Sequence, residues 1–246
     1  MNSTKLWYPL PMVESDPVEF SALYASFNAS IAELNCGDRC APYNERGVPF
    51  CCDIRHAVPS AYDSEWEFLK SNTDLWHLFQ TDNTDDFNEL ASQTPQGHQL
   101  IACLGHQYCQ REYRSVTCRA FPFFPYITPE GDFVGLSYYW EYEDRCWVIN
   151  NLQGVTSNYR GEFIAAYDFL FDKFPRELNN YMQHSKLMHQ IFARRQRAIP
   201  LLHRNGFSYR ITPSNGRMRR VPAENFPKFG VYKIAAKMPF PDEVSA

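Results

Sequence analysis

CGDRCAPYNERGVPFCC, residues 36–52, and CLGHQYCQREYRSVTC, residues 103–118, hold seven of the chain's eight cysteines, and Cys146 follows them. Their order is Cys36, Cys40, Cys51 and Cys52 in a first group, then Cys103, Cys109 and Cys118 in a second, with Cys146 trailing. An insert without cysteine separates the groups, and residues 147–246 have none. Three chemistries suit such a concentration: disulfides, a metal site, or redox work at a reactive thiol. Compartment bears on the choice. The opening residues MNSTKLWYPLPMVESDP carry one lysine and no apolar run long enough for a signal-peptide core. No run of about 18 consecutive apolar residues occurs, so no membrane span is expected. The expected location is therefore cytoplasmic, where disulfides are disfavoured and clustered cysteines read as metal ligands or catalytic groups. Asn-x-Ser/Thr matches at Asn2 and Asn28 do not alter this reading.

Composition supports an ordinary core. Hydrophobic residues make up 44% of the 246-residue chain and aromatics 16%, so the cysteines are not needed as staples for a small fold. The net charge of −4 points to no nucleic-acid partner. It conceals a division: residues 190–240 hold eight Arg and three Lys against the single acid Glu224, net +10, whereas residues 1–189 carry 13 bases against 25 acids, net −12. Such asymmetry predicts a basic element that docks on the acidic body or on an acidic protein partner.

Around the cysteines, the pattern is mostly helical. Phe20, Leu23, Tyr24, Phe27, Ile31 and Leu34 recur at helical spacing over residues 17–35, with Asp16 as N-cap and Pro17 at the first position. That helix would deliver Cys36 from its C-terminus. Pro42, Gly47 and Pro49 make residues 37–58 irregular. An extended backbone at Cys51-Cys52 would turn their side chains apart, toward different sites or with one alone as a ligand. Residues 61–92 read as two or three short helices, with the acidic run 81–86 as a solvated turn. The run lacks the Gly and Glu spacing of a calcium loop. Residues 159–174 form the clearest helix, and a second is expected from about 176 to 197. Pro129-Glu130-Gly131 and Ser214-Asn215-Gly216 mark two β-hairpins, over 121–140 and 207–221. Pro122 and Pro125 confine the first strand of the former to an edge. The expected fold is α+β: a helix-dominated single domain with irregular cysteine-bearing loops and one or two β-hairpins. Residues 17–157 are read as the cysteine-cluster metal-binding domain, and 158–246 as a helical pair plus a basic C-terminal hairpin arm.

Several chemistries are excluded. A radical-SAM triad needs a third cysteine where Tyr43 stands. There is no Gly-rich phosphate loop, no dinucleotide fingerprint and no His pair at metalloprotease spacing. Cys-x2-Cys is absent, so standard zinc ribbons do not fit. His106, between Cys103 and Cys109, reads as a neighbour of a site rather than a ligand. Arg114 and Arg119 flank Cys118, where cations depress thiol pKa and offset an anionic cluster. They are the candidate cofactor-contacting residues.

The cysteine order resembles the YkgJ-type cysteine-cluster family, described as zinc- or iron-chelating domains, with a related cluster in flagellin lysine N-methylases. Cys36, Cys40, Cys51 and Cys52 resemble the family's first group. Cys103, Cys109 and Arg114-Ser-Val-Thr-Cys118-Arg119-Ala-Phe121-Pro122 resemble its second, and Cys146 its last cysteine. The resemblance spans residues 36–147. Ten residues separate Cys40 from Cys51 where the family has fewer, and Ser115 stands for its Pro. The resemblance implies all eight cysteines as candidate ligands, with Cys36, Cys103, Cys109 and Cys118 foremost. Thiolate-only sets suit both iron–sulfur clusters and zinc. The expectation is a 4Fe–4S cluster in a redox or protein-modification role, with zinc as the alternative: a zinc-stabilised interaction module whose basic arm binds an acidic partner. A lysine-methylase-like enzyme is a third reading. No membrane partner is expected, and nucleic acid is disfavoured.

Overall fold

The computed structural model describes residues 17–235. The expected cap at Asp16, the Asn2 match and the end of the basic arm lie outside them. In chain order the helices are α1 (Pro17–Ser26), α2 (Cys36–Cys40), α3 (Asp63–Asn72), α4 (Thr84–Gln93), α5 (Val116–Ala120), α6 (Ser157–Lys173), α7 (Pro175–Arg194) and α8 (Gly230–Ala235). The strands are β1 (Ser60–Tyr62), β2 (Trp76–Leu78), β3 (His98–Cys103), β4 (Phe123–Ile127), β5 (Phe133–Tyr138), β6 (Ile199–His203), β7 (Ser208–Ile211) and β8 (Met218–Arg220). They form two antiparallel sheets, one of three strands in the order β1-β3-β2 and one of five in the order β4-β5-β6-β7-β8.

The chain is thus mixed α+β and not helix-dominated. Among the described residues eight strands stand beside eight α-helices. The expectation erred where strands are too short to show alternation. Trp76–Leu78, read as helical, pairs with residues 101–103. Ile199–His203 is a continuous apolar run, which periodicity cannot assign. It joins the two expected hairpins into one sheet by pairing with β5 on one side and β7 on the other. Both hairpins are present, and β4 with its Pro125 is an edge strand. The β5–β6 pairing also crosses position 157/158, where two regions were expected to meet.

One core runs through the molecule. Phe163, Tyr167 and Leu170 of α6 and Met188 and Phe192 of α7 pack with Phe123, Phe124 and Leu136 of the larger sheet and with Phe20, Leu23 and Phe27 of α1. The α6 stripe has the spacing that buries one helix face. Thr156 caps α6 by accepting from the Tyr159 amide at 3.2 Å.

α1 stops at Ser26, earlier than its apolar periodicity predicts, because partners far along the chain take over its terminal groups. The amides of Asn28 and Ala29 donate to Glu162 Oε2 on α6. The carbonyls of Tyr24 and Phe27 accept from Arg119 Nη1, at 3.3 and 2.6 Å. Cys36 therefore opens a new helix instead of ending an old one. Asn35 caps that helix, accepting from the Gly37 amide at 3.2 Å.

Candidate metal centre

The first cysteine group closes despite its ten-residue loop. α2 sets Cys36 and Cys40 four apart, on one helix face. Gly37 lies against Pro49, where a Cβ would stand 2.9 Å from Pro49 Cγ. Only glycine permits this approach, and it brings α2 up to the turn Phe50–Cys52. The intervening loop is held by its own polar groups. Buried Asn44 donates to Val48 O at 2.9 Å and to Asp53 Oδ2 at 3.2 Å. Asp53, immediately after Cys52, also accepts from Arg55 Nε at 3.1 Å and Nη2 at 2.8 Å. These bonds, the Arg55 fork first, hold its carboxyl well below the usual range.

Cys51 and Cys52 do not diverge. Residues 50–52 form a 3₁₀ turn rather than a strand, and the two sulfurs lie 3.9 Å apart. A 3₁₀ backbone turns about 120° per residue against about 180° in a strand, so adjacent side chains splay less than an extended chain would make them.

The second group comes from the smaller sheet and the turns after it. Cys103 ends β3, opposite Trp76. Gly105 takes φ 109°, a conformation that suits glycine, and leads into the turn His106–Tyr108, whose His106 is exposed. Cys109 follows, and Arg114 Nε donates to its sulfur at 3.0 Å. Ser115 is the N-cap of α5: its Oγ accepts from the Cys118 amide at 3.3 Å. Cys118 is thereby fixed in the first turn of α5.

The two arginines differ. Arg119 spends all its donors on backbone carbonyls: Nε on Arg114 at 2.7 Å, Nη1 on Tyr24 and Phe27, and Nη2 on Arg111 at 3.0 Å and Glu112 at 2.9 Å. Its guanidinium also lies 4.3 Å from the centre of the Tyr24 ring. It ties the end of α1 to the loop between Cys109 and Cys118. Arg114 faces the thiols instead, and its charge is felt at Cys36, Cys52 and Cys118 as well as Cys109.

All eight cysteines are free. Cys52 joins the two groups, for its charge acts on Cys36, Cys40 and Cys51 of the first and on Cys103 and Cys118 of the second. A hydrogen bond from Cys51, aided by Arg114, lowers Cys52 to about 7. Burial raises Cys36 to about 11 and Cys118 to about 12, and it raises Cys40, Cys103 and Cys146 as well. Cys146 interacts with Cys36, Cys40 and Cys51. The set has donors in a thiol-rich neighbourhood with one cation facing it. Among the described residues, however, no three of His, Cys, Asp and Glu are drawn together at the spacing of ligands on one ion.

Other residues at this site gave no sequence signal. Tyr232 of α8 packs with Cys40 and Phe50 in a small buried cluster and donates to Arg145 O at 2.9 Å. α8 thus covers the first group. It is held there by Asn150, which accepts from the Phe229 amide at 2.6 Å and donates to Cys146 O at 2.8 Å. Glu65, fully buried, accepts from Tyr24 Oη at 2.5 Å and from the Val116 amide at 2.6 Å, and so anchors the start of α5. Burial raises its pKa to about 7. A buried acid in α3 was legible as a helix residue only.

Fold and site together define a mixed α+β protein with a thiol-rich face, and no helix among the described residues is long and apolar enough to cross a membrane. No protein-family model, curated protein or solved structure matches the chain.

Proposed function

We propose that this protein is a thiolate-ligated metal protein holding an iron–sulfur cluster, in a redox or protein-modification role. The observation that carries the reading is Arg114, whose Nε donates to the sulfur of Cys109 at 3.0 Å and whose charge also favours the thiolates of Cys36, Cys52 and Cys118, members of both cysteine groups. A purely structural set of free cysteines has no need of a cation aimed at its sulfurs. Thiolates and a guanidinium are the donor set and counter-charge that an anionic cluster uses. Cys36, Cys103, Cys109 and Cys118 are the foremost ligands, with Cys40, Cys51, Cys52 and Cys146 completing the set. Bound there, a cluster supplies one-electron chemistry. The chain supplies the thiolates, the Arg114 charge and the cover of α8. The likeness to the YkgJ-type families belongs to this proposal.

One observation favours zinc as the second reading. The 3.9 Å between the sulfurs of Cys51 and Cys52 is close to the edge of a tetrahedral site, about 3.8 Å for Zn–S bonds of about 2.3 Å. Anaerobic reconstitution separates the two. Iron with acid-labile sulfide, and visible absorption that bleaches on reduction, supports the cluster. Zinc without sulfide supports the structural ion. Retention of neither metal overturns both. Cys109→Ser and Cys118→Ser are expected to abolish loading, and full occupancy in both variants would remove them from the ligand set.

A further inference from the structure

Among the described residues β8 ends the five-stranded sheet and has a strand neighbour on one side only. Its pairing with β7 uses alternate residues. The Thr212 amide donates to Arg217 O, and the Val221 amide to Ser208 O, each at 2.9 Å. In an antiparallel ladder the intervening residues turn their backbone groups the other way. The N–H and C=O of Met218 and Arg220 therefore face away from β7, as a template for one more strand.

Charge narrows what that strand can be. The acidic body claims part of the basic arm: Arg195 and Arg197 pair with Glu143, and Arg204 pairs with Asp168. Arg217, Arg219 and Arg220 are exposed and take part in no ion pair among the described residues. Arg219 stands directly opposite Arg210 in the ladder. Like charges so placed cost stability unless an anion lies between or beside them. Arg210 donates to Asn225 O, so it is partly satisfied within the chain. Arg219 makes no side-chain hydrogen bond or ion pair among the described residues, and an incoming carboxylate would supply one.

Backbone and charge together favour a polypeptide over a nucleic acid. A free row of N–H and C=O groups continues a peptide ladder and has no counterpart in a sugar–phosphate chain. The aromatic ring at this edge, Phe207, already carries the Arg220 guanidinium 3.3 Å from its centre, so it is engaged by a cation rather than open for stacking bases. We infer that the free edge of β8 binds an extended acidic polypeptide as an added strand, its carboxylates meeting Arg217 and Arg219, whose side chains share one face of the sheet. Because side chains alternate along a strand, acids at every second residue fit best.

The test is fluorescence anisotropy of the full chain with a short labelled peptide alternating Glu and Val. Saturable binding is expected, weakened at least about tenfold by the combined changes Arg217→Glu and Arg219→Glu, and weakened by salt. The same peptide, N-methylated at alternate residues, keeps every charge and loses donors on one edge. The two possible methylation phases are both made, and one of them is expected to lose binding. The peptide comparison needs only the wild-type chain, so it decides the matter even if the double variant fails to fold. Absence of binding to the unmodified peptide overturns the proposal. So does equal binding of both methylated forms, or of a single-stranded DNA of equal charge, since neither result requires strand pairing.

Discussion

At the scale of single residues, two arginines four apart from Cys118 and one apart from it hold different jobs, and a simple pair of variants tells them apart. Arg119→Gln leaves several buried carbonyls without donors, and a loss of about 3 kcal/mol or more is expected in urea unfolding. Arg114→Gln removes a charge that faces sulfur. Its unfolding midpoint is expected to stay close to that of the parent, while metal content after reconstitution falls. Glu65 sets a pH dependence. Its folded pKa, raised by burial to about 7 from the model-peptide 4.5, means the folded state holds a proton that the unfolded state has released. Stability from this group is present below the unfolded value and is lost as pH rises from about 4.5 through about 7. Thermal melts of Glu65→Gln against the parent across that window are expected to show a flatter profile in the variant, and parallel profiles would contradict the assignment.

At the scale of elements, the cysteines ride on short turns whose geometry depends on small contacts. α2 reaches the Cys51–Cys52 turn only because Gly37 has no side chain against Pro49. Gly37→Ala is expected to cost about 1–3 kcal/mol through overpacking, and to shorten metal retention measured by chelator challenge. Asp53→Ala removes the acceptor shared by Asn44 and Arg55. A loss of about 1–3 kcal/mol is expected in urea unfolding, together with faster proteolysis within residues 41–58. The elements most legible in the sequence were those with strong local signals: the α6 stripe, α7 behind Pro175, and the two hairpins with their Gly-bearing turns. The end of α1 was not legible. Its apolar spacing runs on to Leu34, but Glu162 and Arg119 hold the backbone that ends it. β2 and β6 were missed for a related reason: each becomes a strand through a partner distant in sequence.

At the scale of the whole molecule, the basic arm divides its work. Arg197 grips Glu143 with two bonds of 2.7 Å, and α8 lies over Cys40. Tyr232→Ala is expected to speed alkylation of Cys40 in the metal-free protein, read by mass spectrometry of the labelled peptide; an unchanged rate would show that Tyr232 does not shield it. By itself the sequence determined the thiol inventory, the charge division, and the helices and hairpins whose signals lie within a few residues, because side-chain periodicity and turn chemistry are local. Only the structure decided that the chain is mixed rather than helix-dominated, that Cys51 and Cys52 lie side by side, that Arg119 is spent on carbonyls while Arg114 faces sulfur, and that α8 returns to the first cysteine group. The mixed fold, the reach of Arg119 to α1 and the return of α8 rest on pairings between residues far apart along the chain, which no local pattern encodes; the Cys51–Cys52 approach follows from the 3₁₀ turn at residues 50–52.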